Sequence, residues 1–153
     1  MKILGIIPAR FASTRFPGKP LINISGKSMV RRVYEQAKQS TKLHKVIVAT
    51  DDERIYDEVT SFGGEVMMTG SQHINGTERC IEVIKSLQGA YDYAINVQGD
   101  EPFIKPEMID ELAAILDGQT ELGTLVKKIT DPDALDNPNT MKVAFTKNHE
   151  ALY

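Results

Sequence analysis

The sequence predicts an α/β fold built on a mostly parallel sheet. Short branched-aliphatic runs alternate with stretches of helical periodicity along all 153 residues. Polar, charged segments follow the apolar runs, at the carboxyl ends of strands, where such sheets bind ligands. The stretch 3–19, ILGIIPARFASTRFPGK, joins a buried strand to a loop carrying Arg10, Arg15 and Lys19.

Residues 3–7 read as a buried strand from their continuous aliphatic content. Ser28 can cap a helix whose apolar positions Met29, Val30, Val33, Tyr34 and Ala37 recur at helical spacing. Residues 46–50 form a second strand ending at Asp51-Asp52. The stretch 54–62 is a helix with Ile55, Val59 and Phe62 on one face and Gly63-Gly64 as its stop. Residues 66–68 make a short third strand. After the polar loop 71–76, Thr77 caps a helix to about residue 87, with Ile81, Ile84 and Leu87 facing inward. Residues 93–98 form a fourth strand, and Pro102 and Pro106 lead into a helix over about 107–116. Further strands are expected at 122–128 and 141–146, with a helical turn beginning at Asp131-Pro132. No repeat, low-complexity tract or linker interrupts this, so residues 1–153 read as one domain with room for one core. The ending, Ala151-Leu152-Tyr153, reads as the approach to another strand, and a fragment of a longer chain is expected.

The net charge is −3, mild and opposite to the broad basic face expected of a nucleic-acid protein. The charge is unevenly spread. The first acid is Glu35, whereas an even distribution of 21 acids over 153 residues would place roughly 5 before it. A cationic loop on an acidic chain suits a small polyanion such as a nucleoside triphosphate; a basic surface loop is the plainer alternative. Cys80 is the only cysteine, which fits a reducing compartment, and its place in a helical pattern makes it a core residue before a nucleophile. No run reaches membrane-spanning length, and a strand follows Met1-Lys2 at once. A soluble cytoplasmic protein is therefore expected.

Several motifs can be set aside. Ser25-Gly26-Lys27-Ser28 resembles half a phosphate-binding P-loop, but the required glycine is replaced by Leu21, so it reads as a turn. No G-x-G-x-x-G follows the first strand, and no His or Cys pair has zinc-ligand spacing. Asp100, after Val97-Gln98-Gly99, could either reach the cleft and hold Mg²⁺ or cap the turn before Pro102. Glu101 could be a second ligand but reads first as solvent-facing. Residues 73–79 place a polar loop on a helix start. Free N–H groups there favour an anion or carbonyl, and Arg79 could fork onto a carboxylate; a capping box with a solvent-facing Arg79 is the alternative.

Taken together, these segments resemble the CMP-sugar-acid synthetases, and within them the 3-deoxy-manno-octulosonate (Kdo) cytidylyltransferases. Ile7-Pro8-Ala9-Arg10, Ser13-Thr14-Arg15 and Pro17-Gly18-Lys19-Pro20-Leu21 match the family's phosphate-binding signature. Val48-Ala49-Thr50-Asp51, Gly63-Gly64-Glu65-Val66, His73 with Gly76-Thr77-Glu78-Arg79, Asn96 through Pro102, and Asn137-Pro138-Asn139 with Lys142-Val143 follow in the family's order. Asn75 stands where a Ser is usual.

The resemblance implies a Rossmann-like, three-layer nucleotide-diphospho-sugar transferase fold lacking its C-terminal part. It implies transfer of CMP from CTP to Kdo, giving CMP-Kdo and pyrophosphate for lipopolysaccharide assembly, with Mg²⁺ required. By the same resemblance Arg10 and Lys19 hold the triphosphate, with Ala9, Ser13, Arg15 and Gly76 lining the nucleotide site. Asp100 is the metal ligand, and His73, Thr77, Arg79 and Gln98 contact the sugar acid or cytosine. The family is homodimeric, with most dimer contacts and a second metal-binding acid in the part beyond this chain, so poor turnover by these residues alone is expected. A cytidylyltransferase for a sialic-acid-like sugar and a non-catalytic nucleotide-binding fragment are the alternatives.

Overall fold

Four strands run parallel in one sheet: β1 (Ile3–Pro8), β4 (Lys45–Thr50), β5 (Val66–Met68) and β6 (Tyr93–Asn96), in the order β5-β4-β1-β6. The computed structural model describes residues 1–12, 16–148 and 150–152. The register pairs Ile6 of β1 with Ile47 on one side and Asn96 on the other. Side chains alternate across the pleat, which sorts the aliphatic run of β1 into two cores. Ile3 and Ile7 join Val46, Val48, Ile95 and Val97 on one face, while Leu4 and Ile6 join Ile47 and Ala49 on the other.

The helices cover those faces. Helix α1 (Met29–Ala37) begins at Ser28, whose hydroxyl accepts the Arg31 N–H at 3.3 Å, and buries all five of its expected inward positions. Helix α2 (Glu53–Ser61) is capped by Asp52 and buries Ile55 and Val59, and Gly63 (φ 74°) follows its last turn. Helix α4 (Pro106–Ala114) buries Ile109 and Ala113 in the same core as α1 and α2. Helix α3 (Gly76–Ser86) packs Cys80 and Val83 against the opposite face, completing helix–sheet–helix layering. Burial pushes the Cys80 thiol up to about 11, in keeping with a core position.

Three details differ from the sequence reading. Asn75, not Thr77, caps α3: its side-chain oxygen accepts the Glu78 N–H at 2.9 Å. The inward stripe of α3 is Cys80, Val83 and half-buried Leu87, while Ile81 and Ile84 are more than 40% exposed. The helix carries two adjacent apolar stripes, and the sheet takes the one bearing Arg79. Finally, residues 122–128 and 141–146 form no strand among the described residues; only an isolated antiparallel bridge joins Phe145 to Ala151. β-propensity there finds no ladder partner, and a strand exists only in pairing.

The segment resembling half a P-loop is a hairpin. Strands β2 (Asn23–Ile24) and β3 (Lys27–Ser28) pair antiparallel across Ser25 and Gly26, both at positive φ, as a type I′ turn requires. A 3₁₀ turn, Lys19–Leu21, precedes it. Contacts divide the chain into two units, Met1–Gly123 and the residues from Thr124 onward. The second contains the short helix α5 (Asp133–Asp136) and a bond from Lys142 Nζ to the Asn137 carbonyl at 2.7 Å. Among the described residues no helix is long and apolar enough to cross a membrane.

Candidate functional site

A cleft of about 530 Å³ opens at the carboxyl ends of β1 and β6. Its first wall is the chain leaving β1. Buried Ala9 extends the ladder through its N–H to the Ala49 carbonyl at 2.8 Å. Arg10 then turns outward, and its Nη1 donates to the Ile74 carbonyl at 3.2 Å. The loop closes where the Gly18 N–H meets the Phe11 carbonyl at 2.9 Å. Gly18 sits at φ 73°, and a Cβ there would come within 3.1 Å of the Phe11 ring, so both conformation and space call for glycine. Buried Pro20 anchors the 3₁₀ turn that presents Lys19. Ser13 and Arg15, with Thr14, lie outside the described residues.

The opposite wall follows β6. The Val97 N–H donates to the Ile6 carbonyl at 2.8 Å, continuing the ladder past the strand's end. Gly99 then crosses β1 so closely that a Cβ would lie 2.7 Å from the Pro8 carbonyl oxygen. That close crossing delivers Asp100 to the cleft, where Lys19 Nζ donates to its Oδ2 at 2.7 Å. Two residues 81 positions apart thus meet as an ion pair, with their side chains 36% and 50% exposed. Glu101 is exposed and does not line the cleft.

The third wall is the loop entering α3. His73, Ile74, Asn75 and Gly76 line it, with Gly76 lying against the Pro8 ring. Arg79 lies at the floor, 3% exposed. Its Nη2 donates to Asp51 Oδ2 at 2.9 Å, and its Nη1 to Thr69 Oγ1 and to the Gly70 carbonyl at 3.4 Å. Arg79 does not face solvent, and the carboxylate it holds is the protein's own Asp51, through one nitrogen, rather than a ligand's. Those bonds tie α3 to the loop after β5 and to the end of β4.

The cleft therefore gathers Ala9, Arg10, Lys19, His73, Gly76, Arg79, Gln98 and Asp100. Thr77, expected among them, is exposed on the first turn of α3 and lies outside the lining. The sequence offered a capping box in this loop only as an alternative, and the rest of the bracing was not legible there. Glu78 accepts the Ile74 N–H at 2.9 Å and Asn75 Nδ2 at 3.1 Å, and Arg54 stacks on the Phe11 ring while held bidentately by Asp52. The Asn75–Glu78 spacing of a capping box was the available signal for the first; nothing local marks the second.

Chemically, the site offers Arg10, Lys19 and one carboxylate around an open volume, with Arg79 at the floor already paired to Asp51. That suits a polyphosphate with a divalent cation. The donor set fits Mg²⁺, which takes one or two carboxylates and completes its shell with water and phosphate oxygens. An ammonium already stands on Asp100 Oδ2, marking the position as one that accepts positive charge. Among the described residues no three His, Cys, Asp or Glu side chains form a metal cage, so a cation here would rely on ligand oxygens and water.

Comparison with known proteins bears on the family and the fold. The cytidylyltransferase family model matches residues 4–153. The 3-deoxy-manno-octulosonate cytidylyltransferase of Cytophaga hutchinsonii is 54% identical over 153 residues, covering 100% of this chain and 61% of that protein. Its counterpart in Parabacteroides distasonis is 51% identical, covering 100% and 62%. A solved CMP:2-keto-3-deoxy-manno-octonic acid synthetase complexed with CTP superposes with a TM-score of 0.92 at 41% identity, covering 100% of this chain and 63% of that one. The chain thus spans about 61% of the length of the first of these curated relatives. With the family model matching nearly every residue, the chain belongs to the cytidylyltransferase family.

Proposed function

We propose that this chain carries the nucleotide site of an enzyme that transfers CMP from CTP to Kdo. The products would be CMP-Kdo, for lipopolysaccharide assembly, and pyrophosphate. The observation that carries the proposal is the meeting of Lys19 and Asp100 beside Arg10 in one cleft. In the reaction the anomeric hydroxyl of the sugar acid attacks the α-phosphorus, its proton passes to solvent, and the bond to pyrophosphate breaks. Negative charge grows on the leaving group, so catalysis rests on alignment and charge neutralisation. Arg10 and Lys19 bind that charge. Lys19 exchanges its Asp100 partner for a phosphate oxygen, and the Asp100 carboxylate so released would hold Mg²⁺. The metal, when bound, neutralises charge on the phosphate oxygens. His73 and Gln98 line the same cleft and would contact the sugar acid or base. We place the enzyme in the cytoplasm, as a homodimer.

The relatives are longer than this chain, so the test reads binding. Calorimetry of CTP with and without Mg²⁺ is run on the wild type and on Asp100→Asn. Wild-type affinity should rise with Mg²⁺, and the variant should lose that rise. Absence of CTP binding, or equal metal dependence in both proteins, would refute the proposal.

A further inference from the structure

Two glutamates one turn apart on α3 reach back to the loop at 70–75. Glu82 accepts the Gly70 N–H at 3.0 Å and contacts His73 Nε2. Glu78 takes the Ile74 N–H and the Asn75 amide. The loop so held presents the Ile74 carbonyl to Arg10 and the His73 ring to the cleft. The His73 side chain is only 13% exposed, so its orientation is set by protein groups rather than by water.

A carboxylate only accepts hydrogen bonds, so the ring nitrogen facing Glu82 carries the proton. His73 Nδ1 lies 3.9 Å from Glu78 Oε2, beyond hydrogen-bonding distance. In the neutral ring that nitrogen is an acceptor. We infer that Glu82 is a positioning residue of the cleft: it fixes His73 as the Nε2–H tautomer and, by pinning the loop, sets the carbonyl that orients Arg10. In support, the His73 contact, and next the Gly70 N–H, hold the Glu82 carboxyl below the usual carboxylate range. The affinity arm of the test rests on the CTP reading above; the tautomer arm does not.

Imidazole ¹⁵N spectra at pH 8.5, above the ordinary imidazole range, report tautomers directly, with His73→Gln assigning the signal. His44 is an internal reference, because its Nδ1 accepts the Ile3 N–H at 3.2 Å, remote from Glu82 in sequence. Three variants are compared with wild type for tautomer, CTP–Mg²⁺ affinity and melting temperature: Glu82→Ala, Glu82→Gln and Val83→Ala. Glu82→Gln keeps an oxygen for both donors. Val83→Ala removes buried volume from the same turn and deletes none of the loop's hydrogen bonds.

The expected result is that Glu82→Ala loses the Nε2–H preference and weakens CTP binding roughly tenfold. Glu82→Gln should restore both, and Val83→Ala should lower the melting temperature alone. The inference is overturned by an unchanged tautomer in Glu82→Ala, by failure of Glu82→Gln to rescue, or by an equal loss of affinity in Val83→Ala. Should wild type bind no CTP, the function proposal fails while the tautomer arm still decides the role of Glu82.

Discussion

Replacing Lys19 with alanine should separate binding from folding. The Lys19–Asp100 pair is 2.7 Å long, and its side chains are 36% and 50% exposed. At the dielectric of water that distance corresponds to about 1.5 kcal/mol of attraction. Screening and side-chain entropy bring such exposed pairs to about 0.2–1 kcal/mol. Asp100 stays hydrated when its partner is removed, so no stranded buried charge adds to the cost. For a chain of this size, a loss of at most about 1 kcal/mol lowers the melting temperature by about 4 °C or less.

Binding responds differently. A charge-assisted hydrogen bond to a phosphate is worth about 1.5–3 kcal/mol. Breaking the Asp100 pair first returns up to about 1 kcal/mol of that. The difference, about 0.5–3 kcal/mol, predicts CTP–Mg²⁺ binding more than about twofold and up to roughly 150-fold weaker in Lys19→Ala. Calorimetry at fixed ionic strength measures the affinity, and a thermal melt of the same samples measures stability. Affinity within twofold of wild type would remove Lys19 from the nucleotide site. A melting temperature lowered by more than about 10 °C would instead make it a structural residue.

Gly99→Ala should cost about 1–3 kcal/mol, because its Cβ would lie 2.7 Å from the Pro8 carbonyl oxygen, a backbone atom that can only move with the sheet. The same shift moves Asp100, so denaturant melts and the Mg²⁺ dependence of CTP binding should both change; a stable variant with normal metal dependence would refute the close-crossing account. Asp110→Asn tests the staple between α4 and the loop after α1. Burial pushes the Asp110 carboxyl up, but hydrogen bonds from Ser40, Thr41 and Lys42 outweigh it and hold it below the usual range. A lowered folded-state value gives stability that is present above the unfolded value, about 3.9, and is lost as pH falls through the folded one. The variant should therefore be about 1–2 kcal/mol less stable at pH 7, with the gap closing below about pH 4. A gap independent of pH in urea titrations would contradict this.

Much of the fold was legible in local pattern. Residues 3–7 and 46–50 carry enough continuous aliphatic surface to be strands buried on both faces, and Ser28 with its five apolar partners marks α1. Helix α3 was misread because Cys80-Ile81 and Val83-Ile84 offer two apolar stripes side by side. Periodicity alone cannot choose between them. The choice falls to Arg79, which must face Asp51, and to Glu78 and Glu82, which must face the loop at 70–75. The 122–128 and 141–146 runs have the composition of strands, but pairing is a property of two segments and cannot be read from one.

The candidate site divides in the same way. Charge bias, Pro-Gly punctuation and carboxylates after apolar runs are local, and they already placed Arg10, Lys19 and Asp100 at strand ends. Which of these ends share a rim depends on strand order, and the order β5-β4-β1-β6 sets β6 beside β1. Only that adjacency, with Gly99 thin enough to cross Pro8, brings Asp100 within hydrogen-bonding distance of Lys19. The sequence determined which groups were available; the tertiary structure decided which of them meet, because contact across 81 positions follows from non-local strand pairing rather than from any local preference.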